Sequence, residues 1–357
     1  MNATKPKTSV RKKPIIALVI VLAVIIGLFA AATAVTSHYM NLNFKRGEYS
    51  DPRLITDYYY EHYANEYPRV EVSFKSGENT LRGFIYGADN DKALLVFAHG
   101  IGCGHEDYMK NLIWFIDNGY RVFAYDATGS GHSEGDGTRG LPQSALDLDA
   151  ALTYAESDGR LSGLPVFLMG HSWGGYAVTA VLNFDHDIKG VASVSGYSEP
   201  VEMIYEFASG VVGNARPLLY PSIWLYNKLL FGEYAGLSAV KGINKSNVPV
   251  LIFHGTDDET IGYNESSIMN KREKITNPNV KYITLPGCSH SGMFYTKEAL
   301  EYKDDFRAGY RKLYDEYGGE FPEEKQLEYY SAADRELVNQ PNTELLEKIL
   351  EFYEGNL

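Results

Sequence analysis

The stretch Val166-Phe-Leu-Met-Gly-His-Ser172-Trp-Gly-Gly-Tyr176 constrains this chain more than any other. A short apolar run ends at Gly170, a serine sits at the corner, and a helical pattern starts at once. The pentapeptide Gly170-His171-Ser172-Trp173-Gly174 has the form G-x-S-x-G. A sharp strand-to-helix turn that swings a hydroxyl outward strains the serine backbone, and the neighbours two residues away must lack Cβ atoms. The helix that follows aims its free N–H groups at the corner, where negative charge would develop during acyl transfer. The five-residue string also arises by chance, so its meaning depends on what the rest of the chain supplies.

The surrounding pattern is one of strands alternating with helices. Val70-Glu-Val-Ser-Phe74 and Leu81-Arg-Gly-Phe-Ile-Tyr86 alternate apolar and polar residues around Lys75-Ser-Gly-Glu-Asn79, which predicts an antiparallel pair. Ala93-Leu-Leu-Val-Phe-Ala98 is continuously apolar, as expected of a strand buried on both faces. Further strands are predicted at 121–126, 166–169, 188–194, 249–253 and 280–285, and helices at 108–118, 144–157, 265–274 and 299–316, the last expected to back the sheet. Such alternation predicts an α/β fold with a mostly parallel sheet covered by helices on both faces. Residues 199–247 break the rhythm with several apolar helical pieces. Placed after a strand's carboxyl end, they predict a lid above the serine, whose apolar side chains could shape an acyl pocket or merely bury themselves in docking.

A serine hydroxyl needs an imidazole to take its proton, and the imidazole needs a carboxylate to hold its tautomer. Pro249-Val-Leu-Ile-Phe-His-Gly-Thr-Asp-Asp258 places acids just past a strand, and Leu285-Pro-Gly-Cys-Ser-His290 places a histidine just past the next. The order Ser, Asp, His suits a sheet of this kind, and both positions lie outside strand carboxyl ends, where ligands gather. Ser172, Asp258 and His290 are therefore the candidate catalytic residues. Asp258 fits the spacing His-Gly-x-x-Asp better than Asp257, and Asp257 and Glu259 read as solvated loop charges. His171 reads as a neighbour of the serine rather than its base. The candidate oxyanion donors are the backbone N–H groups of Trp173, which follows the serine, and of Ile101, in the loop Ala98-His-Gly-Ile-Gly102.

At these residues the sequence resembles the α/β-hydrolase family. His99-Gly100 is similar to the family's oxyanion-loop motif, Asp126-Ala-Thr-Gly-Ser-Gly-His-Ser133 to its D-x-x-G-x-G-x-S turn, and Gly170 to Gly174 to its serine elbow. The likeness covers residues 70–316 and is nearest to the serine-aminopeptidase and monoacylglycerol-lipase-like branch. It implies a serine hydrolase acting on a carboxylic ester, of lipid or acyl type, through an acyl-enzyme intermediate. Peptidase or amidase activity is an alternative, as is a non-catalytic binding protein on the same fold. Neither a metal nor an organic cofactor is implied. Asp126 and Ser133 are expected to hold a tight turn and to take no part in chemistry.

The amino end carries a second signal. Lys5, Lys7, Arg11, Lys12 and Lys13 precede Pro14, and residues 15–35 contain no charged side chain. At about 1.5 Å per residue that run matches a hydrocarbon core of roughly 30 Å. The expected organisation is a cytoplasmic basic tail (1–14), a transmembrane anchor (15–35) and a connector (36–69). A hydrolase domain (70–316) with its lid and a helical extension (317–357) follow on the outer side of the membrane. A secretory signal cleaved near Ala32-Thr-Ala34 is the rival reading, and it also exports the domain. The net charge of −13 argues against a nucleic-acid partner. The expected partners are a small ester or acyl substrate and a membrane. The two cysteines, Cys103 and Cys288, read as unpaired thiols.

Overall fold

The computed structural model describes residues 12–357; most of the basic tail expected over 1–14 lies outside them. Helix α1 (Lys12–Asn43) opens the chain. Its most apolar window has a mean hydropathy of 3.2, so it is long and apolar enough to cross a membrane. The helix does not stop at Val35 as the charge-free run suggested. It continues through polar residues to Asn43, because Thr36 and Met40, one turn apart, bury themselves against the domain. The first part of the expected connector is thus helical. The rest holds α2 (Tyr60–Tyr63) and laces onto the domain, with Gly47 N–H donating to Gly129 O and Gly131 N–H to Gly47 O.

The domain begins with a hairpin, β1 (Arg69–Ser76) and β2 (Asn79–Tyr86), turned at Gly77-Glu78. Then come β3 (Ala93–Ala98), α3 (Met109–Asp117), β4 (Tyr120–Tyr125), α4 (Gln143–Ser157), β5 (Val166–His171), α5 (Trp173–Ala180) and β6 (Ile188–Val194). The interrupting segment supplies α6 (Pro200–Val212), α7 (Tyr220–Phe231) and α8 (Ala239–Ser246). Strands β7 (Val250–Gly255) and β8 (Val280–Leu285) complete the sheet. Helices α9 (Lys297–Glu316), α10 (Glu323–Ser331), α11 (Arg335–Val338) and α12 (Thr343–Glu354) follow. The sheet has eight strands in the order β1-β2-β4-β3-β5-β6-β7-β8, with β2 antiparallel to both neighbours and β4 through β8 parallel.

Each face of the sheet has its own core. In β3, Leu94, Val96 and Ala98 join one and Ala93, Leu95 and Phe97 the other, which is why the strand reads as unbroken hydrophobicity. Leu148 and Leu152 of α4, Tyr176 and Ala177 of α5, and Ala239 and Ile243 of α8 cover the first face. Leu112 and Phe115 of α3 cover the second together with Leu346, Ile349 and Tyr353 of α12.

Two expectations are corrected here. The helix backing the sheet is α12, near the end of the chain, and not residues 299–316. Tyr353 is fully buried and its hydroxyl donates to Leu168 O of β5, so the core draws on residues beyond 316. Helix α9 instead pairs with α10 through an aromatic cluster in which Phe306 and Tyr310 meet Tyr329 and Tyr330. The second correction concerns residues 265–274, where only a 3-10 turn over Met269–Lys274 forms. Glu206 of α6 accepts hydrogen bonds from the N–H groups of Gly262 and Ser266, holding the preceding loop open.

Candidate active site

Ser172 stands between β5 and α5 with φ 57° and ψ −113°, a region that non-glycine residues rarely occupy. The corner is held from both sides, since Ser172 N–H donates to Val194 O and Tyr176 N–H to Ser172 O. A Cβ at Gly170 would overlap the carbonyl of Gly174, and one at Gly174 would overlap the carbonyl of Ala98. Glycine at 174 therefore lets the first turn of α5 close against the end of β3, and this brings the loop after β3 alongside the serine.

The structure places Ser172, His290 and Asp258 together, although more than 110 positions separate the first two in the chain. Ser172 Oγ lies 2.8 Å from His290 Nε2. On the far side of the ring, Nδ1 is 2.9 Å from both carboxylate oxygens of Asp258. Ser172 follows β5, Asp258 follows β7 and His290 follows β8, so the ends of three parallel strands, with β6 between the first two, deliver the three side chains. All three residues are nearly buried, Ser172 being 6% exposed. Asp257 points to solvent and accepts only from Thr256 Oγ1. Glu259 is also exposed, yet its Oε2 accepts the backbone N–H of His290 at 3.2 Å.

Burial raises the proton affinity of the Asp258 carboxyl. His254, His290 and the N–H of Ile261 outweigh it and hold the group well below the usual carboxylate range. Asp258 is thus anionic at neutral pH, and a proton arriving on His290 Nε2 would be stabilised by the carboxylate beneath the ring. The arrangement can take a proton from the Ser172 hydroxyl and give it to a leaving group on the same side.

Trp173 follows the serine in the first turn of α5, and Gly100, next to Ile101 in the loop after β3, approaches it closely enough that a Cβ there would sit 3.6 Å from Ser172 Cβ. The loop is pinned by His99 and His171, which sequence reasoning named without these roles, and by Tyr108, which it passed over. His99 donates from Nδ1 to Gly100 O at 2.7 Å and accepts Ala127 N–H at Nε2 at 2.8 Å, tying the loop to the turn at Asp126. Tyr108 Oη accepts the N–H of Gly100 at 3.2 Å and donates to His171 Nδ1 at 2.8 Å. His171 Nε2 then donates to the carbonyl of His290 at 3.0 Å. A continuous line of hydrogen bonds thereby joins the loop carrying Ile101 to the loop carrying His290. Burial, with the neighbouring His290, pushes His171 down to about 3, so it stays neutral and its tautomer is set by its two partners. His254 Nε2 bonds Ile261 O at 2.8 Å and lies 3.2 Å from Asp258 Oδ2, steadying the acid. The signal for His99 and His254 in the chain is a His-Gly pair after β3 and within β7, and for His171 its place in the elbow. Tyr108 carries none.

Asp126 accepts from Tyr49 Oη, His105 Nδ1 and the N–H groups of His105 and His132, and Ser133 Oγ donates to Asp126 O. Both residues hold the turn. Cys103 and Cys288 are free thiols. Among the described residues, no group of three or more His, Cys, Asp or Glu side chains is arranged to hold a metal ion.

Comparison with known proteins agrees with this architecture. Residues 89–233 match the family described as serine aminopeptidase, S33. The chain is 24% identical over 270 residues to a bifunctional esterase/perhydrolase of Acinetobacter calcoaceticus, covering 60% of this chain and 90% of that one. It is 25% identical over 247 residues to a non-heme chloroperoxidase of Streptomyces lividans, covering 54% and 84% respectively. A 25% identical match to a polyketide transferase of a Penicillium species covers 37% of this chain and only 46% of that protein. Among solved structures, a Pyrococcus furiosus esterase superposes with a TM-score of 0.52 at 18% identity, covering 76% of this chain and 98% of the esterase. With the serine elbow, the eight-stranded sheet and these matches in view, the chain has the α/β-hydrolase fold and over residues 89–233 is similar to the serine aminopeptidase, S33, family.

Proposed function

We propose that this protein is a serine hydrolase that cleaves a carboxylic ester, with Ser172 as nucleophile, His290 as general base and acid, and Asp258 as the carboxylate that orients and stabilises the imidazolium. The observation that carries the reading is the pair of contacts on one ring, 2.8 Å from His290 Nε2 to Ser172 Oγ and 2.9 Å from Nδ1 to Asp258. In the first half-reaction Oγ forms a bond to the carbonyl carbon as its proton passes to Nε2. The oxyanion is received by the N–H groups of Trp173 and Ile101. The tetrahedral species then expels the alcohol, which takes the proton from Nε2, and leaves an acyl-serine. Water repeats the sequence, giving its proton to Nε2 and releasing the acid as Ser172 recovers its own.

The strained backbone at Ser172 supports the reading, because such strain persists where the surroundings enforce it, typically at reacting groups. We further propose that α1 anchors the protein in a membrane with residues 70–357 on the side opposite the basic tail, outside the cytoplasm. A fluorophosphonate probe tests the chemistry. Wild-type protein is expected to label, and Ser172→Ala is expected to lose labelling while keeping its melting temperature. Equal labelling of the two would refute the assignment. A panel of p-nitrophenyl esters of increasing chain length, run beside aminoacyl amides, separates the ester reading from the peptidase reading.

A further inference from the structure

We propose that the outward face of α6 and α7 rests in the lipid surface from which α1 emerges, so that the site takes its ester from the bilayer. This rests on the hydrolase reading for the nature of the chemistry and on the structure of the lid for the contact itself.

From Pro14 through Ala31, α1 is exposed all round. At 1.5 Å per residue those turns span about 27 Å, close to the thickness of a hydrocarbon core. The protein meets the helix only above that level. There Thr36, Tyr39 and Met40 line a narrow apolar crevice with Ile204 and Ala208 of α6 and Ile223 of α7. The two lid helices are therefore held at the depth where the apolar span ends.

What they turn outward suits that depth. Leu218 is 78% exposed, Leu229 72%, Trp224 51% and Phe207 44%. Large apolar side chains exposed this fully and this close together are uncommon on a surface that meets only water. Residues 207–232 contain no Asp or Glu, while Arg216 and Lys228 are cationic, in a chain whose net charge is −13. Apolar and aromatic residues with a few cations form the profile of an element lying among lipid headgroups. Of the acids flanking that stretch, Glu233 is exposed just past α7, and Glu206 turns inward. Its carboxylate accepts the N–H groups of Gly262 at 2.8 Å and Ser266 at 3.0 Å. The same loop gives the N–H of Ile261 to Asp258 Oδ1 at 2.8 Å. Helix α6 is thus joined to Asp258 through two hydrogen bonds and the peptide link between Ile261 and Gly262.

The test uses the full-length protein reconstituted in phosphatidylcholine–phosphatidylglycerol vesicles, with acyl chains either plain or brominated. Bromine quenches tryptophan at short range, and Trp224 is the exposed indole of the lid, whereas Trp173 is buried. Brominated lipid should quench part of the wild-type emission, and that part should vanish in Trp224→Phe. Identical quenching of the two proteins would overturn the proposal. A second measurement uses Leu218→Asp combined with Leu229→Asp. The ratio of hydrolysis of a vesicle-borne long-chain ester to that of a soluble short-chain ester should fall by about tenfold or more, since two anions now oppose the interface. Fluorophosphonate labelling should not change. An unchanged ratio overturns the proposal, as does a detergent-solubilised wild-type dimer that this pair of substitutions converts to monomer, for then a second copy covers the face. Loss of labelling in the wild type would instead refute the hydrolase reading and leave the quenching result to stand by itself.

Discussion

His171 provides the sharpest test of how the site is held. It touches neither the serine proton nor the carboxylate, yet its ring joins Tyr108 to the carbonyl of His290 through contacts of 2.8 and 3.0 Å. Replacing it with phenylalanine keeps the ring against Phe294, its edge-on neighbour at 5.0 Å, and removes both hydrogen bonds. Two buried bonds at about 1 kcal/mol each, plus an incompletely satisfied carbonyl, predict a loss of about 3 kcal/mol of stability. The carbonyl of His290 would keep only Ser195 Oγ, at 3.3 Å. Freed to drift, the imidazole would lose its alignment with Oγ, and misplacement of a reacting group by about 1 Å costs on the order of a hundredfold in rate. His171→Phe is therefore expected to lower kcat on a p-nitrophenyl ester by ten- to a hundredfold with KM little changed. His171→Gln, whose amide can still donate towards the His290 carbonyl, should recover part of the loss. The pH profile should keep its shape above pH 5, because burial pushes His171 down to about 3 and the ring carries no charge there. The assays are steady-state kinetics across pH and the rate of fluorophosphonate labelling. Wild-type kcat and labelling rate in a folded His171→Phe protein would refute the argument, and a displaced acid limb would show that His171 titrates after all.

Two further outcomes concern stability. Burial, with the charges of Asp57 and Asp126 adding to it, pushes Asp107 up to about 6. The folded state then holds a proton that the unfolded chain has released between about pH 4 and 6, so stability falls as pH rises through that window and the deficit is complete above it. Asp107→Asn, which keeps an oxygen for the N–H of Gly104, should raise stability by about 1 kcal/mol at pH 7.5 and leave it unchanged near pH 4 in thermal melts. If α12 is part of the core, Leu346→Ala, at a fully buried position, should cost about 3 kcal/mol. Tyr314→Ala, at a 43% exposed position on α9, should change stability by less than about 0.5 kcal/mol. Equal shifts in the two melts would contradict the assignment of the sheet's cover.

The legible parts of this protein are those whose cause is local. Alternation and unbroken apolar runs mark strands because side chains project to opposite faces every second residue, and β3 and β6 lie where those patterns end. The serine elbow is legible because its glycines answer a collision within a few residues, and at 174 with the end of β3. Asp258 and His290 could be picked out because a parallel sheet delivers its strand ends to one edge, so their order along the chain already implies a common place.

What could not be read depends on partners far away in the chain. Residues 299–316 and 343–354 have the same helical periodicity. Only packing shows that Leu346, Ile349 and Tyr353 meet the sheet while Phe306 and Tyr310 meet α10. Periodicity shows that a helix has an apolar side and says nothing of what covers it. The helix expected over 265–274 shrinks to a 3-10 turn beside a loop whose N–H groups are claimed by Glu206, some sixty positions earlier. The line from Gly100 through Tyr108 and His171 to His290 likewise exists only once three loops converge. Sequence by itself determined most of the elements, the elbow and the order of Ser172, Asp258 and His290 along the chain, since each follows from sterics and periodicity over short spans. Tertiary structure alone decided which helix closes the core and what holds the imidazole of His290 in line, because buried surfaces and hydrogen-bonding groups find their partners only in the folded chain.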